Sequence, residues 1–490
     1  MSPTTMDVEK DECIHAEDIS AAAGETQHDP DELRKVVRKL DYHLLPLCFV
    51  LYTFSVLDRS NLGNARLVGL GDDIDLSGHR YEWLGNTFYI AYIVFQFNTL
   101  GWKIFKPHKW VAFVVLYWGL ASSLQAAAMN WSGLMACRFF LGWAETMFGP
   151  GIPLYFSFFY PREAIGVRFG VFLSGAALAN AYGGALAYGL SHIKSNIGSW
   201  RFLFIIEGVP TVLLAVVVWF YLPDSPASAR FFTPREAQVA QKFANSQPGD
   251  YHHEGLQLDQ LTDAFKDYKN CLFSLTNFAC TISFSSLPLF LPTIIASLGA
   301  SSPLASNGLS APPYLLSFLL IILTARASDT LRLRGPFATA SALLSASGFV
   351  VLGAATSPAA RYAGIFLAVQ IFVTVAVVLV WNVNTNETGS KRAGGLWLVM
   401  TLGQCGPLLG TNVFPADEGP FYRTGMWVSC AFALVAAAAS AALTLALWRE
   451  NRRRDRVYGK PGRAEGRAGR AGDGFLTELE ERERSVRFII

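Results

Sequence analysis

The chain is 490 residues long, 52% hydrophobic and only 16% charged, where soluble domains carry about 25% charged residues. That balance excludes an ordinary soluble globular protein, and the net charge of +2 says less than where the charges sit. Of the seven cysteines, Cys48, Cys137, Cys271, Cys280, Cys405 and Cys430 fall in apolar stretches without a CxxC pair, so they read as small hydrophobes and no structural disulfide is expected.

Residues 1–40 are assigned to a cytoplasmic amino-terminal tail, of which residues 1–32 form no secretory signal, are acidic and polar and are expected to be disordered. Twelve apolar segments follow, near 43–64, 82–102, 109–128, 132–158, 168–190, 200–222, 271–297, 306–326, 335–356, 362–384, 393–414 and 422–448. Each is long enough to cross ~30 Å of hydrocarbon. One long polar stretch, 224–270, separates the first six from the last six. The expected fold is therefore an all-α membrane protein of twelve transmembrane helices in two six-helix bundles, 41–223 and 271–448, with a carboxy-terminal tail over 449–490. The Gly-Arg tract of that tail reads as a solvated topology anchor beside the last span, and no nucleic-acid partner is expected.

Loop charges set the orientation. Arg34, Lys35, Arg38 and Lys39 precede the first span; Lys103, Lys106 and Lys109 follow the second, Arg162 and Arg168 the fourth, Arg326, Arg332 and Arg334 the eighth, and Lys391 and Arg392 the tenth. The alternate loops carry few such residues. By the positive-inside rule both termini and the 224–270 loop are cytoplasmic, with the plasma membrane the expected location and a vacuolar or other organelle membrane the alternative. The sequons at Asn130 and Asn386 are expected to stay unmodified, one abutting the membrane and one on the cytoplasmic side. His252 and His253 read as solvated loop, without further ligands at metal spacing.

Four ionisable residues lie inside apolar spans: Asp58 and Arg59 in the first, Arg138 and Glu145 in the fourth. Charges near a bilayer centre cost at least ~2.5–3.5 kcal/mol each, so they persist where they pair or face a cavity. At 1.5 Å per residue, Asp58 lies roughly 22 Å up from His43 and Arg138 roughly 12 Å below Asn130 on an antiparallel span, which are similar depths in a ~30 Å core. Glu145 follows Arg138 at i+7 on the same helical face. An arginine keeps its proton and its planar fork matches a carboxylate. Arg59 is accordingly assigned to an anionic substrate, Arg138 to holding Asp58, and Asp58 with Glu145 to proton coupling. The alternative is that the four lock helices together through buried ion pairs. Tyr89 and Tyr92, with Gln96, share one face of the second span and are candidate substrate contacts, as is Asn384; Asn180, Asn277, Trp381 and Gln404 are softer ones. Glu207, after Arg201, reads as a structural partner.

The stretches LDRSNLGNARLVGL, CRFFLGWAETMFGPGIPLYFSFFYPREAIGVRFG, WRFLFIIEGVPTVLLAVVVWFYLPDSPASARFFTPRE, RASDTLRLRGPF and WNVNTNETGSKRA resemble fungal members of the anion:cation symporter family, the allantoate, nicotinate and pantothenate permease-like proteins of the major facilitator superfamily. The likeness covers nearly all of 33–448. It implies two bundles rocking about a central cavity and uptake of a carboxylate-bearing solute with protons. It carries the acid and arginine roles onto Asp58, Arg59, Arg138 and Glu145. The superfamily's acidic-basic loop motif is reduced to its basic residues in GWKIFKPHKW; the better match is Asp329 with Arg332 and Arg334, expected to act in gating. The glycine-rich fifth span lacks the Gly-Pro dipeptide of the superfamily's antiporters.

No Walker-type GxxxxGK, HExxH or His-x4-Asp motif supports an enzyme. The expected function is proton-coupled symport of a small organic anion by a monomer, without cofactor or metal. The alternatives are efflux of a metabolite and a nutrient sensor that does not transport.

Overall fold

The computed structural model describes residues 30–160, 162–192, 198–245, 258–298, 303–386 and 389–458. Residues 1–29 of the amino-terminal tail, His252–His253, residues 387 and 388 of the second sequon and the Gly-Arg tract lie outside these, while residues 30–40 are helical and open the first span. Among the described residues the regular structure is entirely helical. Twelve helical spans carry it: α1 (Pro30–Ala65), α2 (Arg80–Val94), α3 (Pro107–Leu124), α4 (Trp131–Glu145), α5 (Arg162–Leu190), α6 (Ser199–Tyr221), α7 (Tyr268–Ala296), α8 (Pro303–Leu331), α9 (Gly335–Ala354), α10 (Pro358–Ala368 with Ile371–Thr385), α11 (Gly389–Gly403 with Gly406–Gly410) and α12 (Arg423–Tyr458).

Nine of these are long and apolar enough to cross a bilayer, among the described residues. The other three, α2, α4 and α11, cross in two pieces. A 3-10 turn at Gln96–Leu100 interrupts α2, the Gly149–Gly151 turn interrupts α4, and α11 breaks at Gln404–Cys405. A break inside a membrane is tolerated only where other groups satisfy the freed backbone. The breaks in α2 and α4 face each other and do this reciprocally. Trp102 Nε1 donates to Met147 O at 2.7 Å, and Thr146 Oγ1 donates to Tyr92 O and Gln96 Oε1 at 3.1 Å each. Gln96 is thus spent on the break and not on the cavity. In α11, Thr281 Oγ1 donates to Gly403 O at 2.6 Å.

Packing repeats between the halves: α1 lies along α5 and α3 along α6, as α7 lies along α11 and α9 along α12. The halves meet through α5 on α8, α1 on α7 and α2 on α11. At the end remote from the termini this seam is backbone-tight. A Cβ on Gly63 would overlap the Pro288 carbonyl, Tyr81 donates its hydroxyl to Leu289 O at 3.0 Å, and Thr411 bonds Asn86.

Two short amphipathic helices, Pro234–Asn245 and Leu258–Lys266, lie between the halves in sequence. The first opens with a capping box: Thr233 N donates to the Glu236 carboxylate at 2.8 Å, Glu236 N donates to Thr233 Oγ1 at 3.4 Å, and Pro234 occupies the first helical position. Lys39 of α1 pairs with Glu236 at 2.7 Å. Partial burial opposes the Glu236 charge, but the Lys39 and Thr233 bonds hold its carboxyl below the ordinary glutamate value. The second helix is tied to α7, where the Asn270 amide donates to Ala264 O at 2.9 Å.

Candidate substrate cavity

Asp58 and Arg59 are neighbours on α1, so their side chains leave the helix about 100° apart. That angle separates their fates. Arg59 turns toward the seam between the halves, where it donates to Glu145 Oε2 from Nε at 3.0 Å and from Nη2 at 2.6 Å. Its guanidinium also lies 5.0 Å from the Phe88 ring and 5.3 Å from the Tyr92 ring, close enough for cation–π attraction. Glu145 closes the first segment of α4, where helix carbonyls make the dipole negative. A carboxylate there depends on Arg59, and its second oxygen, Oε1, has no hydrogen-bond partner among the described residues.

Arg138 does not meet the Asp58 carboxylate, as its assigned role had it. Its Nη2 donates to Arg59 O at 3.0 Å, while Nη1 and Nε reach Asp58 O and Leu84 O at 3.4 Å. Gly142 makes this possible, since a Cβ there would overlap the Phe88 carbonyl and push α4 off α2. Arg138 thus clamps the main chain that presents Asp58 and Arg59. Asp58 faces away from the seam, fully buried, accepting from Ser122 Oγ at 2.5 Å and Thr211 Oγ1 at 3.3 Å. It stands behind the cavity wall, between α1, α3 and α6.

Arg59 and Tyr89 separate two chambers along the seam. The larger holds about 610 Å³, counting its open mouth, and lies toward the end bearing the termini. Arg59, Tyr89 and Tyr92 line one wall of it. Asn277, Thr281 and Gln404 give a polar opposite wall, and Phe172, Phe284, Leu379 and Met400 an apolar one. Asn277 donates to Val399 O at 3.1 Å, and its side-chain oxygen has no partner among the described residues. Tyr52 also lines this chamber. Its signal lay in the sequence, two turns before Arg59 on the same face of α1. Asn180 lines the smaller chamber.

Two candidates lie elsewhere. Asn384 sits beyond the cavity lining at the end of α10, where its amide oxygen accepts from Arg334 Nη2 at 2.9 Å and Nε at 3.2 Å. Trp381 packs on Phe273, ring centroids 5.3 Å apart.

Among the three gating residues, Arg334 pairs with Asp329 at 2.5 Å, and Gly166 of α5 packs directly on this pair from the other half. Arg332 does something different. It has φ +53° at the first position past α8, with Leu333 N donating to Ser328 O at 3.1 Å and Arg332 N to Asp329 O at 3.3 Å. This is the Schellman pattern that ordinarily takes glycine, and the Arg332 side chain is exposed. The two arginines should therefore separate on mutation. Arg334→Ala is expected to cost about 2–3 kcal/mol, less than the ~3–5 of a fully buried pair, because Asp329 keeps 23% exposure. Arg332→Gly is expected to be neutral or to gain up to ~1 kcal/mol by relieving the left-handed backbone. Thermal unfolding of the two variants in detergent measures both.

Comparison with known proteins agrees with this architecture. The model of the Major Facilitator Superfamily matches residues 48–411. The chain is 30% identical over 474 residues to the major facilitator-type transporter hxnP of Emericella nidulans, covering 94% of this chain and 95% of the relative. It is 30% identical over 402 residues to the high-affinity nicotinic acid transporter of Saccharomyces cerevisiae, covering 81% and 75%. The solved D-xylose-proton symporter superposes with TM-score 0.63 at 14% identity, covering 81% of this chain and 96% of that one. A bacterial homologue of the human lysosomal transporter Spinster superposes with TM-score 0.58 at 14% identity, covering 86% and 98%. Two bundles of six helices, a central cavity at their seam, the family match and these full-length relatives make the chain a multi-pass membrane transporter of the Major Facilitator Superfamily.

Proposed function

We propose that the protein is a secondary active transporter that carries a small organic anion together with protons by alternating access. The observation that carries this reading is the Arg59–Glu145 pair at 2.6 Å in the cavity wall. A carboxylate substrate and Glu145 compete for one guanidinium. Protonation of Glu145 removes its claim on Arg59 and leaves the fork free for a bidentate bond to the substrate. Anion and proton then enter together, and neither is favoured alone. Tyr89, Tyr92 and the apolar wall provide a surface for the body of the solute, and Asp58 is a second proton-coupling carboxyl. A relative named as a nicotinic acid transporter and a fold neighbour named as a proton symporter support this class of cargo and coupling.

In this reading the bundles 41–223 and 271–448 rock about the seam. The Asp329–Arg334–Asn384 cluster against Gly166 latches the end bearing the termini. That end faces the cytoplasm of a plasma-membrane carrier that works as a monomer. A screen of radiolabelled organic acids in proteoliposomes, with and without an inward proton gradient, tests the cargo. Accumulation of a carboxylate only under the gradient is expected; gradient-independent uptake of neutral solutes would overturn the reading.

Orientation has its own test. Cysteines placed at the exposed positions Ser77 and Ala227 should react with an impermeant thiol reagent from outside and from inside respectively. The reverse pattern would invert the assignment drawn from the loop charges.

A further inference from the structure

Behind the cavity wall, three helices of the amino-terminal half converge on Asp58. Ser122 of α3 and Thr211 of α6 each donate to its carboxyl, at 2.5 and 3.3 Å. One helical turn further from the termini, the same three helices bring up another polar side chain each: Asn61 on α1, Gln125 in the 3-10 turn that continues α3 and Glu207 on α6. All three are at least 99% buried. Glu207 Oε1 and Oε2, Gln125 Oε1, and Asn61 Oδ1 and Nδ2 have no hydrogen-bond partner among the described residues. Asp58 is the charge that acts on Glu207, and Thr211 links the two through its bond to Glu207 O at 3.0 Å.

The neighbouring charged groups do not neutralise this cluster. Arg138 is committed to the carbonyls of Asp58, Arg59 and Leu84. Arg201 donates to Ala126 O at 2.6 Å and faces Asp73 at 3.6 Å. Among the described residues, Tyr182 of α5 also lies within electrostatic reach of Glu207 and is half exposed, and Glu145, another acid, lies within reach of Asp58. Meanwhile α3 and α6 are in backbone contact on either side of Thr211, since a Cβ on Gly119 would press on Val212 N and one on Gly208 on Ser123. Two carboxyl groups without a cation, and four unpartnered oxygen acceptors against one unpartnered amide, are costly in so dry a place. Such a surplus of oxygen is relieved by positive charge.

We propose that Asp58 and Glu207, with the amide oxygens of Asn61 and Gln125, form a monovalent-cation site sealed inside the amino-terminal bundle and distinct from the substrate cavity. Its occupant is held by oxygen atoms and is either a proton or a sodium ion. The inference rests on the proposed function only in treating Asp58 as a coupling group; it needs neither Arg59 nor any particular cargo.

The test uses the purified full-length protein without substrate. Thermal unfolding is followed by tryptophan fluorescence in sodium or in choline at equal ionic strength, and across the acid-to-neutral range. An occupant that binds only the folded state raises Tm with its concentration. A sodium ion gives a rise with sodium at fixed pH. A proton gives a rise as pH falls, lost as pH rises, with no response to sodium. In either case Glu207→Gln is expected to lose most of the rise, while Asp72→Asn, at an exposed carboxyl between α1 and α2, keeps it. Should Glu207→Gln fail to fold, Gln125→Leu, which removes one oxygen and no charge, makes the same comparison. Wild type and Glu207→Gln (or Gln125→Leu) responding identically to both cations would overturn the proposal. Loss of Arg59-dependent transport has no bearing on this readout, so the two readings fail separately.

Discussion

Arg59→Ala is expected to abolish uptake while the protein still reaches the membrane in near-normal amount. In the proposed function Arg59 supplies the charge-assisted bonds to the transported anion, and losing hydrogen bonds to a charged group costs about 1.5–3 kcal/mol, or roughly 10- to 150-fold in affinity. The variant also strands Glu145, which is fully buried beside the carbonyl end of the first α4 segment. Glu145 can answer by holding a proton permanently, which spares the fold and removes coupling. Arg59→Lys should recover little, because an ammonium is a point charge that cannot match a carboxylate fork and bridge to Glu145 from two nitrogens at 3.0 and 2.6 Å. Uptake and surface abundance measured side by side decide it. Retention and degradation of the variant would instead favour a role in locking helices.

Glu145→Gln is the second large expectation. The amide mimics the protonated acid, so Arg59 is released and the anion should bind and exchange when present on both sides of the membrane. Uphill accumulation should fail, because no proton leaves to return the empty carrier to its starting state. Counterflow and gradient-driven uptake in liposomes separate these two behaviours. Normal accumulation by the variant would remove Glu145 from the proton path and leave coupling to Asp58.

Much of this architecture was legible in the sequence because a bilayer imposes a length and a polarity on each span. All twelve apolar segments correspond to helical spans, including the three that break. The breaks themselves were not legible. A Gly-Pro-Gly stretch such as 149–151 is compatible with a continuous membrane helix, and only the facing Trp102 and Thr99 show that the chain is unwound there.

The charged residues of the site were visible as a set, but their partners were not. Depth arithmetic gives height along the membrane normal and says nothing about azimuth, so Asp58, Arg59 and Arg138 at one level read as a single cluster. The 100° between consecutive residues sends Asp58 to Ser122 and Arg59 to Glu145, on different faces of α1. Asn384 was displaced for a related reason. It lies near the end of α10, where the Arg334 guanidinium takes its oxygen before any solute can. The charge of Arg332 suggests gating, while its place at the end of α8 is set by backbone geometry.

If Arg59 exchanges Glu145 for the substrate carboxylate as Glu145 takes a proton, anion binding must consume protons. Calorimetric titration of the purified carrier with its anion, in buffers of different ionisation enthalpy, counts the protons taken up on binding. About one proton per anion is expected for wild type, with affinity falling as pH rises, since binding that consumes a proton weakens as protons become scarce. Glu145→Gln should take up none at that site and bind with little dependence on pH. Equal proton uptake by wild type and Glu145→Gln would contradict the account.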